Sequence, residues 1–301
     1  MDCQVELTLR TDAANGESPT WSAAEQELYW IDVKRPSLHR FDPETGEDRL
    51  WPMPCEIGAF ALEARPGRII AALRSGIVRL DLESAATEPL ADPPYDPATH
   101  RFNDGKCDMH GRFWIGTIAE PPLGQDEQQV RTPGPLCRFD IDERLTLLPT
   151  LSAVIGNGLA FSRDGRWLYF THTKDRTVFR YPLHRETGLP GKGEVFVRFD
   201  QGQPDGSALD IEGGYWCALF GAAKVVRVSP DGRIGHQIKL PVSQPTMCAF
   251  GGKDLATLYV TTARHGLPPA ALVREPLAGS LFHCRPGVAG FPAQRFGADQ
   301  A

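Results

Sequence analysis

The sequence predicts an all-β protein, a six-bladed β-propeller, and two observations carry this prediction. Six short apolar segments recur along the 301 residues, and their first residues lie 41, 44, 55, 47 and 43 positions apart. A segment with alternating apolar and polar residues follows each of them, which is the pattern of half-buried strands. Repeats of about 40 to 50 residues that are built from strands and turns are typical of propeller blades.

The elements of each repeat follow one order: a turn, an apolar strand and an alternating strand. The apolar strands are predicted at residues 29–31, 70–72, 114–116, 169–171, 216–218 and 259–261. The alternating strands are predicted at residues 38–41, 77–80, 136–139, 178–181, 225–228 and 281–284. Turn pairs such as Asp164-Gly165 precede most of the apolar strands. An open solenoid is the competing architecture, but it needs capping units, and none stands out.

The whole chain, residues 1–301, is predicted to form one propeller domain, because a closed ring of this size is a single unit. Residues 3–10 include a clean alternation that precedes the first repeat. We expect this segment to pair with the last blade and to close the ring. The best helical candidate is a short stretch at residues 268–277, which is predicted to lie on the surface.

Composition and short motifs exclude several classes of function. The net charge of −6 argues against nucleic acid as a partner, and no apolar run is long enough to span a membrane. Seven dispersed cysteines without a C-x-x-C pair argue against a zinc ribbon or a disulfide framework. Reduced cysteines, and a start without signal-peptide features, predict a cytoplasmic protein. Dinucleotide, phosphate-loop and serine-esterase motifs do not occur.

Four polar residues share one position of the repeat. Glu17, Asn103, Asn157 and Asp205 each stand 11 or 12 residues before the apolar strand of their own repeat. Because the first strand of each blade lines the channel of a propeller, we expect these side chains to converge at one end. Carboxylate and amide oxygens are ligands for Ca²⁺, Mg²⁺ or Mn²⁺. The alternative is that Asn and Asp beside Gly only form turns, but four residues at one position favour a metal site.

The segments around these residues resemble the gluconolactonase and regucalcin (senescence marker protein) family of sugar lactonases. The matching stretches span nearly the whole chain in the family's order. They are residues 16–21, 28–32, 101–106 (Arg101-Phe102-Asn103-Asp104-Gly105-Lys106), 111–114, 116–117, 157–160, 204–206, 248–252 and 258–261.

The resemblance implies a six-bladed propeller with one divalent cation in its channel. The metal ligands of the family fall on Glu17, Asn157 and Asp205. Its substrate-contacting arginine and asparagine fall on Arg101 and Asn103. The identity of the cation stays open among Ca, Zn, Mn, Fe and Mg.

Three further positions are less regular. Asp104 matches a family position that can lie near a second, weaker cation. Glu120 matches a sugar-contacting residue, but Pro121 follows it where the family often has a second acidic residue. His172 stands where the family commonly has an aspartate, and residues 53–60 depart from the usual loop of the second blade.

The activity implied is metal-dependent hydrolysis of a sugar (aldono)lactone to the sugar acid. The cation would polarise the carbonyl, and Asp205 would be the catalytic general base. Two alternatives remain open on this scaffold: an organophosphate or aryl-ester hydrolase, and a non-enzymatic calcium-binding propeller. The partner is predicted to be a small sugar lactone, and neither the sugar nor the oligomeric state follows from the sequence.

Overall fold

Six four-stranded antiparallel sheets form a six-bladed β-propeller, which confirms the predicted fold class. The computed structural model describes residues 3–119, 132–184 and 187–298. The first strands of the blades contact one another in a closed ring around the central channel. The apolar segments predicted from the repeat lie in the second strand of each blade, and the alternating segments lie in the third.

Five blades are continuous in sequence, and their strands are given from the innermost to the outermost. Blade 1 consists of β2 (Gly16–Ser22), β3 (Glu27–Asp32), β4 (Ser37–Phe41) and β5 (Asp48–Pro52). Blade 2 consists of β6 (Ile57–Leu62), β7 (Arg68–Leu73), β8 (Gly76–Asp81) and β9 (Thr87–Ala91). Blade 3 consists of β10 (His100–Cys107), β11 (Phe113–Ala119), β12 (Gly134–Phe139) and β13 (Leu145–Ala153). Blades 4 and 5 consist of β14 (Gly156–Phe161), β15 (Trp167–His172), β16 (Thr177–Pro182) and β17 (Glu194–Arg198); and β18 (Gln203–Leu209), β19 (Tyr215–Phe220), β20 (Lys224–Val228) and β21 (Ile234–Lys239).

Blade 6 joins the two ends of the described chain. It contains β22 (Pro245–Gly251), β23 (Thr257–Thr262) and β24 (Leu281–Cys284), and its outermost strand is β1 (Glu6–Leu9). β1 pairs with β24 in antiparallel register, with Leu7 opposite Phe282. The short helix α1 (Pro269–Arg274) lies in the connection between β23 and β24.

A β-bulge interrupts the pairing of every innermost strand with its neighbour. The register shifts after Glu17, Ile57, Asn103, Asn157, Pro204 and Pro245. Three bulge residues have left-handed backbone conformations, namely Ser18 (φ 51°), Asp104 (φ 49°) and Gly158 (φ 57°). Bulges twist a strand and re-aim its side chains, so the channel-lining residues are set by the bulge as well as by the strand.

The core lies between the faces of neighbouring blades, where apolar side chains from successive sheets meet. Buried tryptophans tie the turns to the sheets: the Trp216 Nε1–H donates to Asp210 Oδ2 at 2.8 Å. The same carboxylate accepts from Arg227 Nε at 2.6 Å, which links the turn to the third strand of blade 5.

All seven cysteines are free, and five of them are buried. Within the described ranges, no helix combines the length and the apolar character that crossing a bilayer requires.

Candidate metal and substrate site

The predicted site residues meet in one cavity at one end of the channel. Glu17, Arg101, Asn103, Asn157 and Asp205 all line this cavity of ≈ 190 Å³. They come from β2, β10, β14 and β18, the innermost strands of blades 1, 3, 4 and 5. Glu120, the predicted sugar contact, lies outside the described residues.

The strand register gives these residues equivalent places. Three of them pair with the third residue of the apolar segment in the second strand of their own blade. The pairs are Glu17 with Ile31, Asn103 with Gly116, and Asn157 with Thr171. Asp205 follows Pro204, which pairs with Leu219 of the second strand. Each residue stands at a bulge, which explains why residues that are far apart in sequence project into one cavity.

Two carboxylates lie within each other's electrostatic reach. Loss of solvation raises the pKa of Glu17 well above its usual value, and the charges of Asp205 and Asp104 raise it further. Loss of solvation, followed by the charge of Asp104, also raises the pKa of Asp205. The guanidinium of Arg101 opposes both shifts. Carboxylates that are costly to ionise in this way gain most from a bound cation.

The amide of Asn157 has a defined orientation. Its Nδ2 donates to the Thr173 hydroxyl at 3.0 Å, and that hydroxyl donates to the Pro204 carbonyl at 2.8 Å. A carbonyl only accepts, so the single proton of Thr173 is committed to Pro204, and the hydroxyl must receive the Asn157 N–H. The hydrogen bonds therefore turn the Asn157 nitrogen toward Thr173 and leave Oδ1 on the other side.

Asn103 supports this orientation from the neighbouring blade. Its Nδ2 donates to Gly156 O at 3.0 Å and to Asn157 Oδ1 at 2.7 Å. Its own Oδ1 accepts from Arg101 Nη1 at 2.9 Å. A chain of hydrogen bonds thus runs from Arg101 through Asn103 to Asn157. A carbonyl oxygen can accept twice, so Asn157 Oδ1 retains capacity for a ligand.

The donor set fits a divalent cation that prefers oxygen. It consists of the Glu17 and Asp205 carboxylates and the Asn157 amide oxygen, which are hard donors. Over the described residues, no group of three His, Cys, Asp or Glu side chains is arranged to hold a metal ion. An amide oxygen is therefore needed to complete a three-residue site, and the network above supplies it.

Asp104 has a different environment from the cavity residues. Its two oxygens accept the backbone N–H groups of Gly105 at 2.7 Å and Leu159 at 3.0 Å. Burial raises its pKa, and the charge of Lys106 lowers it. The carboxylate thereby links β10 to β14, while a second cation at this position stays a prediction.

Two irregular segments of the sequence lie away from the cavity walls. The ring of His172 packs against Phe179 with centroids 4.6 Å apart, and its Nδ1 lies 3.6 Å from Asp175. In the segment 53–60, Phe60 lines a second cavity formed by the other ends of the innermost strands. Among the described residues that line that cavity, none is a predicted site residue.

Sequence reasoning missed several residues that line the cavity, among them Thr173, Gln203, Lys34 and Lys174. A signal for the two lysines does exist. Each stands five residues after the tyrosine that begins the apolar strand of its blade, at Tyr29 and Tyr169. The repeat therefore marks both lysines as equivalent, although their type alone predicts only exposed charge.

The fold and the site define a six-bladed propeller with an oxygen-donor site and an adjoining polar cavity at one end of its channel. Residues 15–264 match the SMP-30/Gluconolactonase/LRE-like region, and the chain belongs to this family. This confirms the resemblance seen in the sequence.

Relatives and solved structures agree with this placement. The chain is 41% identical to 6-deoxy-6-sulfogluconolactonase of Pseudomonas putida, over 96% of this chain and 97% of the relative. It is 34% identical to L-arabinolactonase of Azospirillum brasilense, over 97% of this chain and 95% of the relative. The crystal structure of regucalcin, a calcium-binding protein of Agrobacterium tumefaciens, superposes with a TM-score of 0.91 at 28% identity and covers 99% of both chains.

Proposed function

We propose that this protein hydrolyses a sugar lactone to the corresponding sugar acid, with the help of one divalent cation held by Glu17, Asn157 and Asp205. The observation that carries the proposal is the convergence of two desolvated carboxylates and one oriented amide oxygen in a single cavity. Relatives named for hydrolysis of sulfogluconolactone and arabinolactone support the same substrate class, as does the pentonolactonase of Haloferax volcanii, at 36% identity.

The cation, when bound, supplies polarisation of the lactone carbonyl and acidification of water. Glu17 provides charge for holding it, and Asn157 provides a neutral oxygen whose direction Thr173 and Asn103 maintain. Burial costs both carboxylates part of their hydration, which strengthens their attraction to a cation.

Asp205 is the proposed general base. It takes a proton from the attacking water while the water oxygen bonds to the acyl carbon. The bond between the acyl carbon and the ring oxygen then breaks, and the ring oxygen receives the proton. Loss of solvation raises the pKa of Asp205, and a bound cation would lower this pKa while it acidifies the water from which Asp205 takes the proton. Arg101 and Asn103 stand on the same wall and are proposed to orient the sugar.

The test is hydrolysis of an aldonolactone panel, followed with a pH indicator, by protein treated with chelator and then reloaded with Ca²⁺, Mn²⁺, Zn²⁺, Fe²⁺ or Mg²⁺. We expect turnover that the chelator abolishes and at least one cation restores. Turnover of aryl esters or organophosphates without turnover of lactones would favour the first alternative. Calcium binding without any turnover would favour a calcium-binding propeller, in line with the name of the regucalcin neighbour.

We also propose a cytoplasmic location, which the seven free cysteines support.

A further inference from the structure

We infer that the lactone bound here carries a negatively charged substituent, a sulfonate, phosphate or carboxylate group, and that Lys174 is the residue that binds it. This inference rests on the proposed function and names its substrate class.

The described wall of the cavity has an excess of positive charge. Lys34, Arg101 and Lys174 line it, against the two carboxylates Glu17 and Asp205. This excess runs against the whole chain, whose net charge is −6. A bound divalent cation would offset the carboxylates and leave the lysine charges to act on the substrate. A cavity whose charge is predominantly of one sign concentrates ligands of the opposite sign.

The two lysines face the cavity from opposite sides of the ring. Lys34 follows β3 in blade 1, and Lys174 follows β15 in blade 4, so two blades lie between them in either direction around the ring. The equivalent positions of the other four blades hold Ser75, Ala119, Gly221 and Arg264. Arg264 is paired with Asp12 at 3.2 Å and does not line the cavity. At this position of the repeat, a positive side chain that lines the cavity is thus found in blades 1 and 4 only.

Lys174 is the better placed of the two lysines for contact with an anion. Among the described residues it makes no hydrogen bond or ion pair, and it is half-buried. The acidic residue next to it, Asp175, lies instead 3.6 Å from His172 Nδ1. Lys174 also directly follows Thr173, whose hydroxyl holds the Asn157 amide. A group bound by Lys174 would therefore lie on the blade 4 side of the cavity, beside the proposed metal ligands.

A neutral sugar lactone would give these lysines only hydroxyl partners. A charge-assisted pair in a partly desolvated cavity is stronger, and its loss corresponds to about 10- to 100-fold in binding. Lys34 lies near an acidic residue, Glu56, whose pKa is lowered in part by the charge of this lysine. We therefore expect Lys34 to act mainly by long-range attraction, with a smaller and more salt-dependent effect.

The experiment compares kcat/KM for gluconolactone and for its analogue with a sulfonate at C6, at low and high salt. Wild type should prefer the anionic lactone by at least about 10-fold. Lys174→Met keeps the alkyl stem but removes the charge, and should lower kcat/KM for the anionic lactone by about 10- to 100-fold, mainly through KM. The neutral lactone should change by less than about 3-fold. Lys239→Met, at an exposed lysine on the outermost strand of blade 5, is the matched control and should change neither value.

The outcomes separate the two proposals. If no lactone of either charge is hydrolysed in the presence of any cation, the proposed function fails, and this inference falls with it. If neutral lactones are hydrolysed as well as anionic ones, only this inference is overturned. It is overturned as well if Lys174→Met affects both substrates equally, because the lysine would then contact a part common to both.

Discussion

The substitution Thr173→Val tests whether hydrogen bonding sets the direction of the Asn157 amide. Valine has nearly the shape of threonine but neither donates nor accepts. In the wild type, a reversed Asn157 amide would place its oxygen against a hydroxyl whose proton is committed to Pro204. It would also place its nitrogen against the Asn103 N–H. The variant removes the first of these two constraints and keeps the second.

The structure gives the expected size of the effect. Thr173→Val leaves the Asn157 N–H and the Pro204 carbonyl without their partner, and each buried unsatisfied group costs about 1–3 kcal/mol. We therefore expect a loss of roughly 2–6 kcal/mol in the free energy of unfolding. Residues that orient a metal ligand typically account for about 10- to 100-fold in metal affinity, so the affinity for the cation should fall by that order.

Calorimetric titration of cation into chelator-treated protein measures the affinity, and thermal unfolding measures the stability. Thr173→Ser keeps the hydroxyl and should bind the cation like the wild type. Thr171→Val is the matched control, because it removes another buried hydroxyl of blade 4, which lies 3.1 Å from the Tyr215 hydroxyl of blade 5. It should lower stability without lowering affinity. If Thr173→Val and Thr171→Val lose stability equally and both bind cation normally, the orientation of Asn157 does not set the affinity, and the reasoning is refuted.

Three further predictions concern the carboxylates. Asp205→Asn should lower the rate of lactone hydrolysis by about 10² to 10⁴-fold even at saturating cation. Glu17→Gln should instead weaken cation binding, and its activity should recover as cation is added. If the activity of Asp205→Asn also recovered fully, Asp205 would be a metal ligand only. Elemental analysis of protein loaded with cation should give one divalent ion per chain, and a chain that takes up none would remove the metal site. The pKa values of Glu17 and Asp205 are raised in the folded state. As the pH rises above about 4, these two carboxyl groups therefore lose their protons in the unfolded chain before they do so in the folded protein. The free energy of unfolding of the cation-free protein should accordingly fall as the pH rises from about 4 through the folded pKa values. Added Ca²⁺ should accordingly raise Tm more at pH 7.5 than at pH 5, and equal gains at both pH values would contradict the raised pKa values.

The sequence was sufficient to predict the six blades, because each apolar strand and its alternating partner repeat at a regular spacing. It also predicted that Glu17, Asn157 and Asp205 share one position, since the distance to the next strand varies by only one residue. It could not show the bulges that aim these side chains. A bulge residue such as Ser18, with a φ of 51°, has no compositional signature of its own.

The supporting network was beyond sequence reasoning for a physical reason. The direction of the Asn157 amide depends on Thr173 and on the Pro204 carbonyl, which belongs to the next blade. Asn103 was predicted as a substrate contact, and the structure bonds its amide to Arg101 and Asn157. Such hydrogen bonds between blades form only when the ring closes, so the sequence alone does not show them. The contact of Asn103 with sugar stays a prediction.

The position of β1 in blade 6 has a consequence for how the protein is made. The Thr8 hydroxyl lies 2.9 Å from His283 Nδ1, a partner that is 275 residues away in the chain. A ribosome adds about 5 to 20 residues per second, so β1 leaves the exit tunnel roughly 15 to 55 s before its partner strand. Throughout that interval the backbone N–H and C=O groups of β1 lack their partner strand, so other chains and chaperones can bind to them. Slower translation lengthens the exposure, so the yield of this protein should depend on codon choice as well as on stability.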